Sequence, residues 1–220
     1  MATLYTAPTG NGRKPLILVR LLKEAPIKVH LFKWPTPEVK QEWYLKLNPN
    51  GLIPTFVDPS KEIELYESNN LLEYLAFTYD TERKFHYSLD ESPQLHWQQN
   101  QWLFFQGTQY AAHTLAIAVI YTKKNPNDAF TREFTLKNFN SIFTTLETQL
   151  SKSESGWFIG DKFTIVDIAF LCDEHRRREV TRGTDWWIDV EAKYPRIEEW
   201  YQRALNFENV KQILEEPISS

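Results

Sequence analysis

Groups able to do chemistry cluster in the first part of the chain. Asn50-Gly51-Leu52-Ile53-Pro54 forms a loop that runs directly into a short strand, Thr55-Phe56-Val57-Asp58. With a cis Ile53-Pro54 bond, the backbone of Ile53 turns outward with a free N–H and C=O, an edge on which another peptide can pair as an added strand. A trans proline in a turn after Asn-Pro-Asn-Gly is the commoner reading of these residues taken alone. Farther on, Glu67-Ser68 opens a helix for which Ser68 is a fitting N-cap. The chain has one cysteine, Cys172, which excludes an internal disulfide, a CxxC redox pair and a cysteine metal cluster. Thiol chemistry must therefore take its sulfur from a ligand. No metal site is expected.

The elements that must position these groups follow from pattern. Thr3-Leu4-Tyr5-Thr6 reads as a strand, 7–12 as a turn, and 14–23 as a helix with Pro15 in its first turn. Ile27-Lys28-Val29-His30-Leu31-Phe32 alternates as a half-buried strand. A short helix over 38–47, strands over 55–57 and 62–66, and a helix from Ser68 carrying Leu71, Leu72, Leu75 and Ala76 complete the order βαβ, α, ββα. That succession is how a thioredoxin-type domain is built, and in such a domain a cis-proline holds a thiol-bearing peptide. The context shifts the expectation for Pro54 from trans to cis. After a charged stretch ending in Ser92-Pro93, only helices are expected, over 94–121, 129–150, 164–181 and 194–205. The expected organisation is an α/β thioredoxin-like domain at 1–80, a linker at 81–92 and an all-α helical bundle at 93–220.

Composition narrows the class. With 42% hydrophobic residues, including 14 Phe, 10 Tyr and 8 Trp, the chain has the apolar content of a folded core. A formal net charge of −4 gives no electrostatic case for nucleic acid. No apolar run reaches the ~18–20 residues of a membrane span, and the N-terminus enters structure without a signal-peptide pattern, so a cytoplasmic location is expected. Arg176-Arg177-Arg178 with Arg182 reads as a solvated helix end, and Cys172 as a structural cysteine in a buried helix. Thr164-Ile165-Val166-Asp167 has the spacing of a capping box.

Three phrases in order, Asn48-Pro49-Asn50-Gly51-Leu52-Ile53-Pro54, Tyr66-Glu67-Ser68 and Phe163-Thr164-Ile165-Val166-Asp167-Ile168-Ala169, make the chain resemble a cytosolic glutathione transferase over nearly its full length. The opening Thr6-Ala7-Pro8-Thr9-Gly10-Asn11-Gly12-Arg13-Lys14 is closer to one branch. It resembles the bacterial nu class and the fungal transferases related to the nitrogen catabolite repression regulator, where Thr/Ser-Pro-Asn-Gly-x-Lys stands in this place. Nothing in these 220 residues resembles the regulator's Asn-rich extension, so the regulator itself is not expected.

The resemblance implies the glutathione transferase fold, glutathione as co-substrate and the following roles. Ile53, beside Pro54, pairs with the central peptide of glutathione. Ser68 and the helix it opens take the γ-glutamyl carboxylate, and Glu67 the γ-glutamyl ammonium. A thiol of pKa about 8.5 is only about 3% ionised at pH 7, and lowering it by about two pH units takes ~2.7 kcal/mol. One or two hydrogen bonds to a charged sulfur, at ~1.5–3 kcal/mol each, suffice. Thr9 and Asn11, where the first strand meets the first helix, are the donors, although Asn11 also reads as a helix N-cap. Tyr5, the analogue of a tyrosine-type donor, lies too early and reads as core.

Departures from the branch matter equally. Leu52 stands where Lys or Arg commonly holds the glycyl carboxylate, which leaves Lys40 or Gln41 for that contact. Gly10 replaces the usual proline, and Arg132 is displaced by about two positions from the basic residue that reaches the ligand in the second domain. Along the first long helix of that domain, Trp102 and Phe105 read as core, while Phe104, Tyr110 and His113 are candidates for a second-substrate pocket. The expected function is a homodimeric glutathione-dependent transferase, a disulfide reductase, or both, acting on an electrophile or a disulfide in detoxification. Two alternatives stand beside it: a catalytically weak glutathione-binding regulatory protein, and a tailoring transferase of fungal secondary metabolism.

Overall fold

Leu4 and Phe56 face each other across two antiparallel strands, both with no exposed surface. They belong to β1 (Ala2–Thr6) and to β3, which spans Thr55–Asp58. Between them in sequence lie α1 (Gly10–Leu21), β2 (Ile27–Leu31) and α2 (Glu42–Leu47). β4 (Ile63–Tyr66) and α3 (Ser68–Tyr79) follow. The sheet order is β2-β1-β3-β4, with β1 parallel to β2 and the other two pairs antiparallel. A parallel pair needs a crossover, which α1 provides. α1 packs on α3, and Leu16, Ile17 and Leu18 of one are fully buried with Leu71, Leu72, Leu75 and Ala76 of the other. Each such leucine or isoleucine contributes about 1.5–3 kcal/mol by leaving water. A second cluster gathers Ala7, Phe32, Val39 and Tyr44 with Tyr5, Trp34 and Ile53. Tyr5 packs there against Phe32, Trp43 and Tyr44.

The computed structural model describes residues 1–113, 129–184 and 188–215. It divides the chain into two units, Met1–His86 with the segment from Glu208, and Tyr87–Phe207. The first is the thioredoxin-like unit described above. The second is helical: α4 (Pro93–Phe105), widening into a π-helical segment at Gln106–Ala111, then α5 (Ala129–Ser151), α6 (Ile165–Thr181), α7 (Val190–Lys193) and α8 (Pro195–Leu205). α6 is the spine of this unit. Its N-terminus is closed by the expected capping box: Thr164 Oγ1 accepts from Val166 N at 3.3 Å, and Asp167 Oδ2 accepts from Thr164 N at 2.9 Å. Asp167 Oδ1 also accepts from Trp200 Nε1 at 2.9 Å, tying α8 to the cap. Phe158 and Phe170 stack with ring centres 4.4 Å apart. Among the described residues no helix is long and apolar enough to cross a membrane.

Several expectations change. α1 begins at Gly10 rather than at residue 14, because Thr9 caps it and Gly10-Asn11-Gly12 winds as helix instead of turn. Pro15 is therefore inside the helix, where it cannot donate to the carbonyl of Asn11. The arginine run is a solvated end only in part: Arg182 is exposed and the Arg176 side chain 43% exposed, but Arg177 and Arg178 are buried, because Glu174 stands one turn before them. Asp80 accepts from the N–H groups of Lys84 and Phe85, so the first half of the expected linker folds with the first unit. At the other end, Val210–Leu214 forms α9 and packs on α1 in that same unit, whereas the expected helical domain runs through these residues to 220. Of the helix expected over 94–121, residues 114–121 lie outside the described residues.

Candidate functional site

The site is built from three backbone features of the first unit. The first is the start of α1. Thr9 has the extended backbone of an N-cap, and its Oγ1 accepts from Gly12 N at 3.1 Å. Only glycine fits at position 12, since a Cβ there would lie 2.0 Å from the Ala7 carbonyl oxygen and 3.0 Å from Ile53 Cδ1. That close approach puts the helix start beside Ile53. The hydroxyl proton of Thr9 has no acceptor among the described residues. Asn11 is half-buried, and its Oδ1 accepts from Lys14 Nζ at 3.0 Å and from Ser68 Oγ at 3.3 Å. Its Nδ2 makes no hydrogen bond among the described residues.

The second feature is the loop before β3. The Ile53-Pro54 bond is cis, as expected. The preceding carbonyl, that of Leu52, accepts from Tyr44 Oη at 2.9 Å and from Asn48 Nδ2 at 2.8 Å. Both groups also reach Thr55 Oγ1, at 2.8 and 3.0 Å, so α2 and its last turn clamp the loop on each side of the proline. Burial pushes the Tyr44 hydroxyl up from its ordinary pKa, against the lowering effect of Thr55, so it stays a neutral donor. The N–H and C=O of Ile53 make no hydrogen bond among the described residues. Gly51, at φ +59°, takes a backbone conformation that side chains resist, and a Cβ would meet the Val39 carbonyl at 2.8 Å.

The third is the entry to α3. Glu67 has φ +73° and ψ 114°, outside the regions that L-residues favour, and its side chain is exposed. Such a conformation costs about 1–3 kcal/mol and persists at sites where geometry is needed. Ser68 follows at the first position of α3, 9% exposed, where free N–H groups and the helix dipole favour an anion. The bond from Ser68 to Asn11 joins this third feature to the first.

The remaining candidates divide. Lys40 Nζ donates to the carbonyl of Asn50 at 3.0 Å and so stands against the same loop, while Gln41 Oε1 is taken by Trp43 Nε1 at 2.9 Å. In the helical unit, Arg132 sits half-buried in the first turns of α5. Phe104 is 74% exposed. Tyr110 does not line a pocket wall: it is a core residue, its hydroxyl donating to Glu174 and its ring packed on Phe139, Phe143 and Phe170. The π-helical segment causes this by turning Gln106 and Tyr110 onto α6. His113 donates from Nδ1 to the carbonyl of Gln109 at 2.6 Å. The buried Tyr110 therefore shares no open face with Phe104.

Sequence reasoning missed Lys14, Tyr44 and Asn48. Lys14 is 1% exposed and stands three residues after Asn11 on one helix face, a spacing readable once the helix start is set at Gly10. Asn48 and Tyr44 act only through the fold of the loop; Asn48 opens the phrase that ends at Pro54, but nothing in that phrase assigns it the clamp, and no local pattern marks Tyr44.

Comparison with known proteins bears on what this arrangement serves. Models of the glutathione S-transferase N-terminal and C-terminal domains match residues 13–77 and 128–203. A solved glutathione S-transferase like protein from Lodderomyces elongisporus is 52% identical with TM-score 0.92, over 100% of this chain and 97% of that one. A glutathione transferase homolog from the same organism, solved with two GSH per subunit, is 28% identical with TM-score 0.83 over 98% of both chains. The glutathione transferase URE2P8 of Phanerochaete chrysosporium, solved with oxidized glutathione, is 27% identical with TM-score 0.80, over 98% of this chain and 94% of that one.

Proposed function

The chain belongs to the glutathione S-transferase family, and from that premise we propose that it binds glutathione in its first unit and uses the ionised thiol as a nucleophile. The observation that carries this reading is the meeting of Asn11 with Ser68, beside Ile53, from three separate stretches of sequence. The central peptide of glutathione pairs with the free backbone groups of Ile53. Its γ-glutamyl carboxylate sits at the N-terminus of α3 on Ser68, its ammonium meets Glu67, and Lys40 takes the glycyl carboxylate. The sulfur then faces Thr9 and Asn11, whose hydroxyl proton and Nδ2 protons are the open donors.

Two hydrogen bonds of this kind suffice to ionise the thiol near neutral pH, its proton leaving to water. The thiolate forms a C–S bond with an electrophilic carbon as the leaving group departs with its electron pair. With a disulfide, it attacks one sulfur and expels the other as a thiolate. A second glutathione then resolves the mixed disulfide, giving glutathione disulfide and a thiol. The relative solved with oxidized glutathione supports including disulfide exchange. We place the protein in the cytoplasm as a detoxifying homodimer. Trp97 and Phe104, 61% and 74% exposed and seven positions apart on α4, offer an apolar face for the second copy.

A second reading is a glutathione-binding protein with little turnover, favoured by the apolar Leu52, 45% exposed, where the branch carries a cation. Retention on glutathione-agarose combined with assays on an aryl halide and on a small disulfide separates the two. Retention with turnover of either substrate is expected, while retention without turnover selects the second reading.

A further inference from the structure

Lys14 is 1% exposed, yet it is a cation, and buried cations need partners. Its Nζ donates to Asn11 Oδ1 at 3.0 Å and reaches Ser68 Oγ at 3.5 Å, while Ser68 Oγ donates to the same Asn11 oxygen at 3.3 Å. A lysine ammonium has three donors and no acceptor, so whichever atom of the Asn11 amide faces it must be the oxygen. The amide is otherwise symmetric in shape and could sit either way round. With Oδ1 turned to Lys14 and Ser68, Nδ2 is necessarily the outward atom, and it is the atom left without a hydrogen bond among the described residues.

We infer that Lys14 is a positioning residue: from its buried place on α1 it fixes the Asn11 carboxamide so that Nδ2, and never Oδ1, meets the glutathione sulfur. An oxygen at that place would oppose a thiolate by lone-pair repulsion, so the orientation decides whether Asn11 favours ionisation or hinders it. Because Lys14 also meets Ser68, the same ammonium aligns the residue proposed for the γ-glutamyl carboxylate. The inference rests on the role proposed for Asn11 and adds the group that makes that role possible.

The test titrates bound glutathione by its thiolate ultraviolet absorbance, in wild type, Asn11→Ala, Lys14→Met, Lys14→Arg and the double variant Asn11→Ala/Lys14→Met. Lys14→Met keeps a stem of similar length and loses the donors. It is expected to raise the midpoint pH of the bound thiol by about one pH unit and to lower kcat/KM at pH 7 about tenfold. Lys14→Arg, again a donor-only cation, restores the midpoint in large part. In the Asn11→Ala background, Lys14→Met changes the midpoint no further, since the group it orients is gone. A midpoint unmoved by Lys14→Met while Asn11→Ala raises it overturns the inference alone. A midpoint unmoved by Asn11→Ala overturns both the inference and the proposed donor. Wild-type protein gives a check that needs no variant. Nuclear Overhauser contacts from the Asn11 amide protons to the Lys14 ε-methylene and Ser68, with no shift of those protons on adding glutathione, would show the amide reversed and end the proposal.

Discussion

Ser68 Oγ donates to Asn11 Oδ1 across 3.3 Å, joining residues 57 apart in sequence at the N-terminal turns of α1 and α3. Through this bond the helix end suited to a carboxylate and the amide suited to a sulfur become parts of one network. In the proposed complex Asn11 serves the central thiol and Ser68 the γ-glutamyl carboxylate, so their substitution should separate binding from ionisation.

Asn11→Ala should remove the proposed hydrogen bond to the charged sulfur, an effect of about 1.5–3 kcal/mol, or roughly 10–150-fold in kcat/KM at pH 7. The deficit should shrink as pH rises toward about 8.5, where free thiols ionise unaided. A pH–rate profile checks this: a deficit constant with pH would mean that Asn11 does not act on the ionisation.

Ser68→Ala should remove the contact proposed for the γ-glutamyl carboxylate, which lies away from the reacting sulfur and so is made equally in the bound thiol and in the transition state. KM for glutathione should rise about tenfold with kcat lowered less than threefold, the signature of uniform binding. Steady-state kinetics with glutathione as the varied substrate reads both numbers.

Glu67 sits at φ +73°, where glycine is unstrained and other residues are not. Glu67→Gly should therefore raise stability by about 1 kcal/mol, or about 2–4 °C in melting temperature for a chain of this size. It should at the same time raise KM for glutathione by removing the carboxylate proposed for the ammonium. Glu67→Ala keeps the strain and loses the carboxylate, so it should raise KM without the gain in melting temperature.

The elements and the apolar faces were legible because period and capping are local: Leu71, Leu72 and Leu75 announce their own helix, and Thr164 with Asp167 its own cap. The cis bond at Pro54 was legible only through the order of elements around it. Three things were not. Glycines flanking Asn11 read as a turn, which displaced the start of α1 and hid the Asn11–Lys14 pairing. Tyr110 reads as an amphipathic pocket residue until a π-helical segment, which has no clear sequence signal, turns it toward Glu174. Arg177 and Arg178 read as solvated because the charge run outweighed the single acid one turn earlier.

Leu52 is 45% exposed in the loop that Lys40 touches at Asn50. Leu52→Lys should supply the cation that the branch carries there and lower KM for glutathione about three- to tenfold, at unchanged kcat. Lys40→Ala should raise KM in wild type and much less in the Leu52→Lys variant, where a second cation meets the same carboxylate. Independent, additive effects of the two substitutions would place Lys40 away from the glycyl carboxylate.

Glu174 connects charge to stability in the helical unit. Burial raises its pKa, but the charges of Arg177 and Arg178 and their hydrogen bonds at 2.7, 2.7 and 2.6 Å overrule burial and hold it at about 2, against an ordinary 4.5. A depressed carboxylate contributes stability that is complete above pH 4.5 and is lost as pH falls from there toward 2. Asp167 runs the other way: burial pushes it up to about 6 against donors from Thr164, Trp200 and Phe158, so its contribution is lost as pH rises from 3.8 through 6. Glu174→Gln should cost about 3–5 kcal/mol at neutral pH, because both guanidiniums lose their shared carboxylate in a buried place. Subtracting the unfolding curves of wild type and variant from pH 2 to 7 cancels the Asp167 contribution. What remains should be a difference that is flat above pH 4.5 and closes toward pH 2. A difference that stays constant down to pH 2 would mean that Glu174 is not ionised in the folded unit.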